Sequence, residues 1–226
     1  MCGIFVCIDG KMDADALHAV GEKANALQRH RGPDDAGVVV DADWQLVMAH
    51  RRLSIQDLSP LGHQPMTSSN GRHTIVFNGE IYNFRGLRAE LHGQNHRCRG
   101  GSDTEVLLEA ASAWGGEAAL KKCVGMFAFA LWDSVAKRLW LARDRLGEKP
   151  LYYGIVDGAF VVASELKAFR AHPRFVADVD EASLAAYLHL GYVPAPGSIY
   201  RNVAKLMPGC LLCVAVGRHG VWTKHA

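Results

Sequence analysis

No apolar run in this chain approaches the roughly 20 residues a helix needs to cross a bilayer, so a membrane-spanning helix is excluded. The N-terminus lacks the charged region and long apolar stretch of a secretory signal. With both absent, the expected compartment is the cytoplasm. No basic tract stands out either. The 25 basic and 23 acidic residues are interspersed and leave a net charge of +2. That argues against a nucleic-acid partner and against a polybasic membrane partner. Only one Cys-x-x-Cys pair occurs, Cys210 and Cys213. No second pair and no histidine pair at zinc-finger spacing accompanies it, so no metal site is expected and the two read as ordinary strand residues. In a reducing compartment all six cysteines should be thiols. No internal repeat or low-complexity linker interrupts the 226 residues, which fits one domain. At 49% hydrophobic and 21% charged residues, that domain can bury a sizeable core.

What is present is strand-rich. Ile4 to Ile8 is a continuous apolar run closed by Asp9-Gly10, a buried strand and a turn. Asp13 can cap a helix running to about Arg29, and His30 to Asp35 breaks it through Gly32 and Pro33. Strand signals follow at 37–40 and 45–49, then a loop at 59–66 with two prolines and a glycine. Thr74 to Phe77 is a strand expected to stop at Asn78-Gly79, a turn signal. A helix over 103–114 is announced by Ser102 and Glu105, the pattern of a reciprocal capping box. Strands are expected at 125–133, 137–143, 151–156 and 159–163, the last two joined by an Asp157-Gly158 hairpin turn. Short helices over 164–171 and 181–190 and terminal β-structure at 211–216 and 221–222 complete the chain. Hairpins rather than regular βαβ alternation argue for an α+β fold with antiparallel sheets and helices packed outside.

The chemistry concentrates at the first residues. Once Met1 is trimmed, Cys2 carries a thiol and a free α-amine. An ordinary thiol titrates near about 8.5 and an α-amine near about 7.7–8.0, so the amine can take the thiol proton. Nucleophile and base then sit on one residue, as in N-terminal threonine hydrolases. A buried, inert cysteine at a strand start is the competing reading. Arg51-Arg52 at a strand end is either a solvated rim or a guanidinium fork for a carboxylate. Asn78 and Gly79 are either a turn or a pair of N–H donors for an oxyanion. Asp103 is not needed for capping and, in the first helical turn, is free to meet a ligand ammonium.

Several motifs occur together and in order: Cys2-Gly3-Ile4, Arg31-Gly32-Pro33-Asp34, Arg52-Leu53-Ser54-Ile55, Asn78-Gly79-Glu80-Ile81-Tyr82-Asn83, Gly101-Ser102-Asp103-Thr104-Glu105, Gly125-Met126-Phe127-Ala128-Phe129, Arg143-Asp144 and Lys149-Pro150-Leu151-Tyr152-Tyr153. Taken together, the chain resembles the N-terminal glutaminase domain of glutamine-hydrolysing asparagine synthetases, a class II glutamine amidotransferase domain among the N-terminal-nucleophile hydrolases. The resemblance covers essentially all of residues 1–226. It implies a four-layer sandwich, two mainly antiparallel β-sheets packed face to face with helices outside. It implies that Cys2 attacks the side-chain amide of L-glutamine and forms a γ-glutamyl thioester, its α-amine shuttling the proton. It places the oxyanion on Asn78 and Gly79, the substrate α-carboxylate on Arg52, and the α-ammonium on Asp103. Glu80 and the segment Leu53, Ser54, Ile55 and Gln56 would assist in binding, and Arg31 belongs to a loop that closes near the nucleophile.

Within the family, His50 to Pro60 and Ala163-Ser164-Glu165-Leu166-Lys167-Ala168 resemble the asparagine synthetase branch. Such synthetases continue into an ATP-pyrophosphatase domain with a Ser-Gly-Gly-x-Asp-Ser-type phosphate loop, and none occurs here. No cofactor is expected on this chain. ATP and Mg2+ belong to the synthetase half, either linked in a longer polypeptide or a separate partner. The run from Pro208-Gly209 to Trp222 favours the linked form. A homodimer is left open. The alternatives are a glutamine-binding scaffold without turnover, an amidotransferase feeding another acceptor, and a different N-terminal-nucleophile hydrolase such as a penicillin acylase relative. The paired charges for an amino-acid zwitterion speak against the last.

Overall fold

Strand β1 (Gly3–Ile8) is buried along its whole length, because it is covered on both faces. Side chains alternate across a strand. Ile4, Val6 and Ile8 therefore enter one core, while Phe5 and Cys7 enter another. The computed structural model describes residues 1–217 and 220–225. In it β1 is a central strand of a six-stranded sheet, ordered β10-β8-β9-β1-β3-β2. Its other strands are β2 (Asp35–Asp41), β3 (Leu46–Arg52), β8 (Tyr152–Val156), β9 (Ala159–Ala163) and β10 (Val203–Lys205). The second sheet also has six strands: β4 (Met66–Thr67), β5 (His73–Ile81), β6 (Gly125–Asp133), β7 (Arg138–Arg143), β11 (Leu211–Gly217) and β12 (Gly220–His225). Its order is β12-β11-β7-β6-β5-β4. All pairings between these strands are antiparallel.

The two sheets pack face to face. Val6, Met48, Phe160 and Val162 of the first meet Val76, Ala130, Trp132, Leu141 and Val214 of the second. Helix α1 (Ala14–Leu27), capped by the Asp13 carboxylate, covers the outer face of the first sheet with Leu17, Val20 and Ala24. Helices α2 (Phe84–Gly93), α3 (Asp103–Trp114) and α4 (Gly116–Lys122) cover the second, against Phe77, Phe127 and Phe129. Helix α5 (Glu181–Leu190) buries only Ser183 and lies on the surface. Helix, sheet, sheet, helix is the four-layer α+β arrangement expected above. Phe160 sits at the inter-sheet layer with 1% of its surface exposed. Phe160→Ala is expected to lower stability by about 3–5 kcal/mol, read as a lower urea midpoint at unchanged slope.

Local expectations fail where backbone pairing overrides them. The strand expected to stop at Phe77 continues through Asn78-Gly79-Glu80 to Ile81, paired residue for residue with β6. Turn chemistry loses because β6 offers nine consecutive partners. Gly79 is required for that approach: a Cβ there would lie 2.2 Å from the Met126 carbonyl oxygen. The capping box is half made. Ser102 Oγ accepts the Glu105 N–H, but the Glu105 carboxylate accepts from Arg99 N–H (2.7 Å) and Gly100 N–H (2.6 Å). It ties down the preceding loop instead of the Ser102 amide. The segment 166–171 is a 3-10 rather than an α-helix. Strands β4 and β10 and helix α4 were not expected, each too short to show a period. Cys210 lies just before β11, and Cys213 sits within it opposite Trp140.

Candidate active site

Alternation along three strands delivers four polar side chains to one end of the inter-sheet space. In β3, Leu46 and Met48 face the inter-sheet core, so His50 and Arg52 follow on the same face. In β5, Val76 faces it and Asn78 follows. Cys2 directly precedes β1, whose Ile4 and Val6 face the same space. The β1–β3 register pairs Gly3 with Arg51, which brings Cys2 abreast of Arg52. The polar layer thus caps an apolar one.

The contacts bear this out. The Cys2 backbone N–H donates to Asn78 Oδ1 at 2.9 Å. The Leu53 N–H donates to Cys2 Sγ at 3.4 Å. Burial pushes the Cys2 thiol above its ordinary pKa, opposed by the Leu53 N–H and by the N-terminal, Arg52 and Arg31 charges. The thiol is therefore protonated at neutral pH and needs a base. Asn78 is 1% exposed, and its Nδ2 has no hydrogen-bond partner. An orphaned buried amide donor costs about 1–3 kcal/mol unless something accepts from it.

Cys2, Arg52, Asn78, Gly79, Glu80 and Asp103 line one pocket of about 660 Å³, counted out to its open mouth. Leu53, Ile55 and Gln56 form part of its wall, as do Gln64, Ser102 and Thr104. Arg52 is 8% exposed and its guanidinium donates only to backbone carbonyls, Ser59 O (3.1 Å) and Asp57 O. Asp103 is 5% exposed. Its Oδ2 accepts from Ile81 N–H (2.7 Å) and its Oδ1 from Thr104 N–H (2.9 Å). Burial raises its pKa. The backbone donors oppose that, and the nearby Glu80 charge adds to it. Among the described residues neither Arg52 nor Asp103 has an oppositely charged side chain within ion-pair distance. A buried arginine and a buried aspartate, neither in a salt bridge among the described residues, share one cavity with a thiol.

A family model described as a glutamine amidotransferase domain matches residues 1–224. The chain belongs to that family. Asparagine synthetase [glutamine-hydrolyzing] 3 of Bacillus subtilis (strain 168) is 35% identical over 98% of this chain and 36% of its own length. Asparagine synthetase B [glutamine-hydrolyzing] of Escherichia coli (strain K12) is 43% identical over 74% of this chain and 30% of its own. The amidotransferase domain therefore spans about a third of these curated relatives. Among solved structures, glutamine phosphoribosylpyrophosphate amidotransferase from B. subtilis superposes with a TM-score of 0.70 at 21% identity, over 99% of this chain and 49% of that one. That likeness shows the fold alone, two antiparallel sheets packed between helices.

Two site candidates of this amidotransferase domain lie outside the pocket lining. The Ser54 N–H donates to Asp34 Oδ2 (2.8 Å), stitching two loops together. Arg31 sits behind the nucleophile: its Nε donates to the Cys2 carbonyl oxygen (2.8 Å) and its Nη1 to Glu165 Oε1 (2.9 Å). Burial works against the Glu165 charge, but Arg31 and His30 prevail and hold its pKa below the usual carboxylate value. Ser164 adds two bonds to Ile4, accepting its N–H at Oγ (3.0 Å) and donating its own N–H to the Ile4 carbonyl (3.0 Å). Glu165 was legible only as part of the Ser-Glu-Leu-Lys segment, with no hint of this clamp. His50 and Gln64 were not singled out individually, since a lone histidine in a strand and a glutamine in a loop carry no periodic signal. Arg143 and Asp144 organise the loop at 144–149: Asp144 accepts from Leu146, Glu148 and Lys149 N–H groups, and Arg143 donates to Gly147, Lys149 and Leu206 carbonyls.

Proposed function

We propose that this domain hydrolyses the side-chain amide of L-glutamine at Cys2, giving glutamate and ammonia. The observation that carries the reading is a cavity in which a buried arginine and a buried aspartate, neither in a salt bridge among the described residues, lie beside a thiol. Glutamine presents one carboxylate and one ammonium at its α-carbon, and Arg52 and Asp103 complement them, with Glu80 near the ammonium. Glutamine's γ-amide then extends toward Cys2.

Sγ attacks the amide carbon while the α-amine exposed by loss of Met1 takes the thiol proton. The Cys2 nitrogen already lies 2.9 Å from Asn78 Oδ1, which supports a fixed position for that amine. The tetrahedral oxyanion accepts from Asn78 Nδ2 and the Gly79 N–H. Collapse breaks the C–N bond, the amine returns a proton, and ammonia leaves a γ-glutamyl thioester. Water then attacks the thioester, releasing glutamate and restoring the thiol.

The named relatives are asparagine synthetases, so aspartate amidation is the favoured use of the ammonia. ATP and Mg2+ would be bound by a synthetase domain, linked or separate, and a different acceptor is the alternative. A cytoplasmic setting suits a reduced nucleophile. Among the described residues no helix is long and apolar enough to cross a membrane. A glutamine-binding scaffold without turnover is disfavoured by the Cys2 thiol and the orphaned Asn78 amide donor lining one cavity.

The test is purified protein whose free Cys2 terminus is verified by mass spectrometry, incubated with glutamine. Equimolar glutamate and ammonia are expected. Absence of both, with and without a synthetase half, would overturn the proposal.

A further inference from the structure

The edge of β5 that faces away from β6 is covered by strand β4 only as far as the Met66–Ile75 pair. Beyond it, side chains take over. The Phe77 N–H donates to Gln64 Oε1 at 2.7 Å, and the Phe77 carbonyl accepts from His50 Nε2 at 2.9 Å. Two pairs along, the Ile81 N–H donates to Asp103. Peptide groups alternate between the two edges of a strand. Residues 77, 79 and 81 therefore address the same edge, and Gly79 falls in the gap between the tied positions. The gap opens on the pocket that holds Cys2.

Resting on the glutaminase reading, we propose that His50 is a positioning residue for this reaction, holding the β5 edge so that Asn78 Nδ2 and the Gly79 N–H converge on one oxyanion position. The imidazole is 0% exposed and does not line the pocket. It acts on the site through the Phe77 carbonyl alone. A carbonyl can only accept, so Nε2 carries the proton. Nδ1 is left buried with no partner. Burial keeps the ring neutral, its pKa lowered to about 4. A leucine would fill this inter-sheet position without an orphaned nitrogen, so packing alone does not explain a histidine. The tie spans the sheets, from β3, which carries Arg52, to β5, which carries Asn78. It fixes the carboxylate-binding and oxyanion-binding strands relative to each other.

The experiment compares wild type with His50→Leu, His50→Gln and His50→Asn, each with a verified free Cys2 terminus. Ammonia release is measured against glutamine concentration, and each melting temperature is recorded. A misplaced reacting geometry costs about 10²-fold. His50→Leu should lose about that factor in kcat with KM near wild type, and its melting temperature should fall because the buried Phe77 carbonyl loses its donor. Glutamine can present its amide nitrogen near the Nε2 position, so His50→Gln should recover most of the rate. Asparagine presents its nitrogen near Nδ1, so His50→Asn should not. If the leucine variant does not fold, the Gln–Asn pair decides at matched melting temperature. Wild-type kcat in His50→Leu, or equal rates in the Gln and Asn variants, overturns the proposal and leaves the glutaminase reading standing. An inactive wild type overturns both.

Discussion

Cys2→Ala is expected to release ammonia from glutamine about 10⁶-fold more slowly than wild type, and a form that retains Met1 is expected to lose turnover as well. These two losses have different causes. Alanine removes the thiol that lines the pocket. Comparable deletion of a hydrolase nucleophile costs about 10⁶-fold in kcat. Retaining Met1 leaves the sulfur in place but converts the Cys2 α-amine into a peptide nitrogen, which cannot accept a proton. Burial already holds the thiol above its ordinary pKa, so the neutral thiol has no other base of its own. Met1 also stands in the way, since it lines the pocket mouth with its Sδ accepting from Arg31 Nη2. The measurement is glutamate formation by the two proteins beside wild type, with the N-terminal residue of each established by mass spectrometry. Substantial turnover by the Met1-retaining form would remove the amine from the mechanism. Turnover by Cys2→Ala would remove the sulfur as well.

The antiparallel strands were legible because they have simple sequence signatures, and their stacking in four layers followed from the family resemblance. β1 reads as a continuous apolar run since both its faces are covered, and the Asp157-Gly158 turn announces the β8–β9 hairpin. What failed was chemistry that is local in sequence but decided at long range. Asn78-Gly79 carries a turn signal, yet the nine-residue partner strand draws it into the sheet. Glu105 is spaced for a capping box, yet two loop N–H groups compete for it. The pocket-lining positions were nameable through the motifs that carry the family resemblance. His50, Gln64 and Glu165 act through main-chain groups of other strands or through a second side chain. Nothing in their own neighbourhoods in sequence records those partners, which appear only once the two sheets are stacked.

Asn78→Ala should lower kcat by about 10²–10³-fold, equivalent to roughly 2.7–4 kcal/mol of barrier, the scale for loss of one oxyanion donor. KM should change little, because the charges proposed to bind the substrate belong to Arg52 and Asp103. Asn78 performs two tasks with two atoms. Oδ1 receives the Cys2 nitrogen, and Nδ2 is buried without a partner. Asn78→Asp separates them. The aspartate keeps an acceptor for the amine but replaces the donor with an oxygen, and its charge repels the developing oxyanion. If the donor matters more, Asn78→Asp is at least as slow as Asn78→Ala; if holding the amine matters more, it is faster. Attack on the amide and hydrolysis of the thioester each pass through an oxyanion, so both steps should slow in these variants. By contrast, Arg52→Ala or Asp103→Ala should raise KM, each removing one half of the zwitterion clamp. An Asn78→Ala protein with wild-type kcat would mean that its unpaired amide faces no developing charge, and the oxyanion would then have to rest on Gly79 alone.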